Sequence, residues 1–337
     1  MKSRIASQTS IAAVAAVAVL AGCSGGSGGS PGSPGVSAES ASTGPPEKPS
    51  IVIDAFPAID SAGLFIAEQQ GLFKKQGLNV TIKLADTSQT AIDGQLKGTY
   101  DITSADYVTY IDNVLLNKAP LRIVGESSFL QPNVLALLVK GGSSVESVQQ
   151  LRDKTVSVNA PNDIGTLLVD SLLTDNGVPL KSVTFNNNVA FPNVGQELSS
   201  GKVDAAFAPE PFVSLDGMQA GTEVLADLDQ GGSAGFPIQG VAVTQSWARA
   251  HPNTLAAFER AYTQGQQIAD TDRSAVESAI EQFLGLPKLA AALVSLPNFP
   301  TGVDPVRLQR LVDAMVRFGL LGKQYTNFKI STIIGNG

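Results

Sequence analysis

Four carboxylates, Asp54, Asp60, Asp106 and Glu210, stand where short apolar runs give out, each close to an aromatic ring, a hydroxyl or a proline. Phe56, Gln89, Thr90, Tyr107, Asn133, Asn162 and Thr166 fall at comparable places. Such side chains hold a small polar molecule through hydrogen bonds and ring contact. They do not make a nucleophilic or metal centre. The chain has one histidine, His251 beside Pro252 at a helix start, and one cysteine, Cys23. No Ser-His-Asp or Cys-His set and no His/Cys metal spacing can be assembled from that. No cofactor is indicated, and no motif supports hydrolysis by a carboxylate pair.

These residues need a scaffold, and the chain is long enough for about two domain-sized units. It has 337 residues, 43% hydrophobic and 16% charged, with 23 basic against 30 acidic side chains and a net charge of −7. Nothing in that balance recommends nucleic acid or an anionic membrane surface as a partner. Residues 1–22 read as a signal peptide: Lys2 and Arg4, then an apolar run over 11–21 too short to span a bilayer comfortably. The run ends in Leu20-Ala21-Gly22-Cys23, which resembles the lipobox of bacterial lipoproteins and implies a diacylglycerol on Cys23. Of residues 24–49, 19 of 26 are Gly, Ser or Pro, so 23–49 are expected to be a lipidated cysteine and a flexible tether.

From Ser50 onwards strand-like runs alternate with amphipathic helical stretches, as in a mostly parallel α/β sheet. Strands are predicted over 51–56, 78–86 and 100–106, with helices over 62–70 and 90–98 between them. The order returns with strands over 155–161, 182–188 and 203–210 and helices over 163–177 and 191–201. From Gly77 to Gly177 the offset is 100, and from Gly98 to Gly201 it is 103. We read this as two similarly built lobes, 50–132 plus 240–337 and 133–239. Residues 122–142 and 235–246 would cross between them. The tail is helical and should pack on the first lobe, Pro252 suiting a first turn.

In open parallel sheets, ligands bind outside the carboxyl ends of strands, which is where the polar residues fall. Two readings stand for several of them. Glu210, clamped between Pro209 and Pro211, is either aimed into the cleft or solvated at a rigid helix start. The segment Ala160-Pro161-Asn162-Asp163-Ile164-Gly165-Thr166 is an anion-cradling helix N-terminus, or Asp163 is its N-cap. Phe56 and Tyr107 stack on a flat ligand or fill the core. Asn133 is a hinge residue or a hydrogen-bonder to ligand.

Three segments carry a family resemblance: AGLFIAEQQGLFKKQGLNVTI (62–82), GTYDI (98–102) and GKVDAAFAPEPF (201–212). With the lipobox, they resemble the substrate-binding lipoproteins of ABC importers for nitrate, sulfonates, taurine and thiamine-pyrimidine precursors. The resemblance covers nearly all of 50–330. It implies a type II periplasmic-binding-protein fold: two α/β lobes, each a mostly parallel sheet flanked by helices, on a double-strand hinge. It implies a monomer on the outer face of the cytoplasmic membrane, held there by its lipid alone. That monomer would pass a small-molecule solute to an ABC permease with cytoplasmic ATPases. Ligand positions carried over from the family fall on 54–60, Gln89 and Thr90, Asp106 and Tyr107, 162–166 and Glu210. The acidic, amide-rich walls favour an amine-bearing heterocycle, such as an aminopyrimidine, over a bare oxyanion. Two other readings share the scaffold: a sensor lipoprotein, and an enzyme related to thiamine-pyrimidine synthase.

Overall fold

Ile51, Ile53 and Ala55 alternate with Val52 and Asp54 along β1 (Ser50–Ala55), and the first three bury against helices on one face. The computed structural model describes residues 44–335; the expected signal peptide, Cys23 and the expected tether up to residue 43 lie outside them. After β1 come α1 (Ala62–Gln69), α2 (Leu72–Lys75), β2 (Asn79–Leu84), α3 (Ser88–Leu96), β3 (Ile102–Asp106), α4 (Tyr107–Leu115) and β4 (Leu121–Phe129). The chain then crosses over into β5 (Leu135–Lys140), β6 (Thr155–Ser157), α5 (Ile164–Asp175), β7 (Thr184–Asn186), α6 (Val194–Ser199), β8 (Ala205–Pro209), α7 (Phe212–Ala220) and β9 (Thr222–Asp227). It crosses back into β10 (Pro237–Thr244) and ends in α8 (Gln245–Ala250), α9 (Pro252–Thr271), α10 (Arg273–Leu284), α11 (Lys288–Leu293) and α12 (Pro305–Arg317).

Two five-stranded sheets result, ordered β2-β1-β3-β10-β4 and β7-β6-β8-β5-β9. In each, one antiparallel strand sits fourth, β10 in the first and β5 in the second, and the rest run parallel. The repeated order read from the sequence is therefore a repeated topology. Gly77 and Gly177 occupy equivalent helix exits with φ of 79° and 70°, a conformation that costs any residue with a Cβ. The crossings at 130–134 and 228–236 make the two-strand hinge. One strand escaped the sequence reading: β9 is a sheet edge with Glu223 and Val224 exposed, so it lacks a clear apolar alternation.

The terminal helices brace this frame. Helices α9 and α10 pack on α1, with Phe73, Phe258 and Tyr262 stacked in series at 5.7 and 5.5 Å. Burying each such ring contributes about 1.5–3 kcal/mol. Helix α12 lies on α4 and β10, and its Arg307 meets Glu126 of β4 at 2.8 Å, a carboxylate with no solvent exposure. Residues 44–49, expected to belong to a flexible tether, are instead held against the body. Glu47 accepts the amides of Asn253 and Thr254 at the start of α9, and Lys48 pairs with Asp101. Desolvation works to raise the Glu47 carboxyl, but those amide donors outweigh it and bring it down to about 2.

Candidate functional site

Strand β3 ends in Asp106, which caps α4: the Thr109 amide and hydroxyl donate to its two oxygens at 2.9 and 2.6 Å. Across the cleft Asp163 caps α5, accepting the Thr166 amide at 2.9 Å. Each sheet thus delivers a helix start, with a carboxylate at its tip, to one cavity of about 380 Å³ between the lobes. Burial raises Asp106, and bonds from Thr109, Ser88 and the Ile164 amide of the opposite lobe only partly offset it. Burial and the Asp106 charge push Asp163 up to about 7.

A third carboxylate, Asp60, comes from the turn after β1 and accepts the hydroxyl of Ser128 on β4. Burial raises it as well. Asp112 completes the acidic lining one turn beyond Thr109 on α4, raised by burial and by Asp106. The hinge itself contributes: Gln239 of β10 faces the cavity and donates to Ser104 and Ser61 at 2.6 and 3.3 Å. Phe191 packs edge-on to Phe56 at 6.2 Å and to Phe207 at 5.9 Å, so rings from both lobes make an apolar wall. Among the described residues, no lysine, arginine or histidine lines the cavity. This site can solvate hydrogen-bond donors and positive charge beside a flat apolar group.

Five of the residues singled out in the sequence converge here: Phe56, Asp60, Gln89, Asp106 and Asn162. The other six do not line the cavity. Strand alternation turns Asp54 beneath the sheet, where burial pushes its carboxyl up to about 8. Thr90 is exposed and spends its hydroxyl on Thr87, which itself reaches the cavity. Tyr107 is fully buried under β10, its hydroxyl donating to the Gly125 carbonyl. Asn133 is exposed at φ 65° in the first crossing, tied through its amide to Asp227, as a hinge residue would be. Thr166 turns its hydroxyl back to the Ala160 carbonyl.

Glu210 is the main correction. It is neither solvated nor aimed at the cleft. Its carboxylate is buried behind the hinge, accepting the Ser214 amide and hydroxyl at 3.0 and 2.7 Å and the Ser295 amide at 2.9 Å. Pro209 faces the cavity instead. Glu210→Ala strands three donors, so stability should fall by about 1–3 kcal/mol in urea denaturation while solute affinity holds. Phe191, Phe207, Asp112 and Gln239 were not singled out from the sequence. For Asp112 a signal existed: Asp106, Thr109 and Asp112 recur every third residue, one face of a helix.

Three comparisons bear on this arrangement. A family model described as NMT1/THI5 like matches residues 58–272. A Bacillus subtilis (strain 168) protein, YtlA, named for an inferred binding role, is 21% identical over 240 residues, 66% of this chain and 71% of its own. Among solved structures, the alkanesulfonate-binding protein SsuA from Xanthomonas axonopodis pv. citri, bound to MOPS, superposes with a TM-score of 0.72 at 17% identity, covering 86% of this chain and 99% of that one. The periplasmic nitrate-binding protein NrtA from Synechocystis PCC 6803 gives 0.72 at 15% identity, over 86% and 87%. At these identities the likeness speaks for the fold, and the two-lobed α/β architecture expected from the sequence is the one found.

Proposed function

Because the chain belongs to the NMT1/THI5-like family, we propose that it is the solute-binding component of an ABC-type importer, and that its solute is a small heterocycle carrying an amine or other hydrogen-bond donors. One observation carries the reading of the solute: both lobes line one cavity walled by Asp60, Asp106, Asp112 and Asp163 and by phenylalanine rings, with no cationic side chain among the described residues that line it. A sulfonate or nitrate held there would meet carboxylates with no counter-charge, a costly arrangement in a desolvated site. An amino group would instead find acceptors already fixed in place by helix caps, so little ordering remains to be done on binding.

In this reading the solute first settles on one lobe, and closure about the 130–134 and 228–236 crossings brings the second set of caps onto it. The closed shape is what a permease with cytoplasmic ATPases would recognise. A lipid on Cys23 would keep the body at the outer face of the cytoplasmic membrane, working as a monomer.

Protein purified without its leader should carry a co-purified small molecule in native mass spectrometry. Thermal melts with 4-amino-2-methylpyrimidine, taurine and nitrate then separate the classes. At a hundredfold excess over Kd a true ligand adds about 2.7 kcal/mol of stability, a rise in Tm of several degrees. Stabilisation by taurine or nitrate but by no amine-bearing heterocycle would overturn the solute class.

A further inference from the structure

The two capping carboxylates meet where the lobes meet. Asp106 is 7% exposed and Asp163 5%, both line the same cavity, and the helices they cap, α4 and α5, pack against each other. Two like charges facing one desolvated cavity repel, and among the described residues no cationic side chain lines it to relieve them. The groups facing them are acidic or neutral on every side. Helix α4 presents Asp112 and Thr109, the turn after β1 presents Asp60, α3 presents Ser88 and Gln89, and β10 presents Gln239. Farther along α5 comes Asp170, and below β3 lies Tyr110. The arginines of α12, which packs on α4, are committed elsewhere: Arg307 to Glu126, Arg310 to the carbonyls of Gly232 and Ala234, and Arg317 to Asp175.

Resting on the reading of the cavity as a solute site, we propose that Asp106 and Asp163 are a charge-selecting latch. The closed cleft holds one positive charge between them, a proton when it is empty and the cationic or amine end of the solute when it is filled. The latch would make this cleft demand positive charge as a condition of staying shut, rather than merely tolerate it.

The sign follows from the two states. In an open cleft both caps face water, and carboxylates of that kind ionise near the usual value of about 4. In the closed cleft burial raises both, and the Asp106 charge adds to the rise of Asp163, to about 7. The closed form therefore binds the proton more tightly. Falling pH favours closure, and rising pH through about 7 favours opening. Below that pH an arriving cationic group takes the proton's place, and the proton leaves to solvent.

Small-angle scattering on the solute-free protein between pH 5.5 and 8.5 tests the latch directly. The wild type should compact as pH falls, its closed-to-open ratio rising by up to about tenfold per pH unit in that range. Replacing both, Asp106→Asn with Asp163→Asn, keeps an effective N-cap on each helix and removes both titrating carboxyls, so the double variant should stay compact across the series. Either single variant leaves one carboxyl that burial still raises and should keep a weaker response. A wild-type radius of gyration that does not move with pH, or a double variant that responds to pH as the wild type does, overturns the latch. A parallel series with 4-amino-2-methylpyrimidine at pH 8 separates the two readings. Compaction by that probe without any pH response sinks the latch and keeps the binding role. A pH response without compaction by the probe supports the latch and counts against that solute class.

Discussion

Arg307→Ala is expected to lower the unfolding free energy by about 3–5 kcal/mol, the usual cost of leaving a buried charge without its partner. Arg307 Nε reaches Glu126 at 2.8 Å, its guanidinium stacks 4.0 Å above Phe129, and the Asp304 amide donates to the same carboxylate at 3.1 Å. With the arginine gone, Glu126 keeps the Asp304 amide alone against full desolvation. Burial already raises this carboxyl, with Arg307 opposing, so losing the arginine raises it further. A folded-state value above the unfolded one stabilises the fold as pH falls, because the folded form then takes up the proton more readily. The deficit should accordingly be largest at pH 8 and shrink towards pH 5.5, as read by urea denaturation at both. A double replacement, Glu126→Leu with Arg307→Leu, removes both charges and should cost much less. A single variant as stable as the wild type at pH 8 would refute this account of how α12 is fixed to the hinge strand.

Phe191→Ala should strike both stability and binding. The ring is 7% exposed and lies against Phe56 of the first lobe, Phe207 of β8 and Phe212 of α7. Truncating a buried phenylalanine costs about 3–5 kcal/mol, including the cavity left behind. Affinity for a flat solute should fall by up to about tenfold, the equivalent of one lost ring contact. Phe191→Leu supplies the control. It refills most of the volume and should recover most of the stability, yet it offers no ring face and should stay weak in binding. Calorimetry with the co-purified solute decides the matter; two variants that bind as tightly as the wild type would remove Phe191 from the site.

Residues of both kinds explain what could be read in advance. The alternation of strands and helices was legible because each strand core is apolar and stops such as Gly77 and Gly177 end helices where the backbone must turn left-handed. Asp163 was legible as a cap because an acidic residue just before a helix calls for that role, whereas Asp106 was legible only as a carboxylate at a strand end, and its capping of α4 was not read. Direction was harder. Asp54 and Phe56 are two residues apart, but Asp54 remains within β1 and turns under the sheet while Phe56 lies beyond it in the loop. Tyr107 and Phe191 are both aromatic and both near a helix start. Only the sheet order, which slides β10 over Tyr107, decides that one is core and the other wall. The reach of Glu210 to Ser295 depends on a partner 85 positions away, beyond any local pattern.

The late arrival of β10 also bears on the order of assembly. All five strands of the second sheet lie between Leu135 and Asp227, an uninterrupted stretch of chain. The first sheet is different: β10 is inserted between β3 and β4, and β4 has no other strand beside it in that sheet. A chain emerging from its amino end therefore exposes an unfinished first half until residue 244 has appeared. The second half can set first and present its last strand's exit as the peg on which the earlier half is completed. In a chain that folds from its amino end, the piece made later is then the one that organises the piece made earlier.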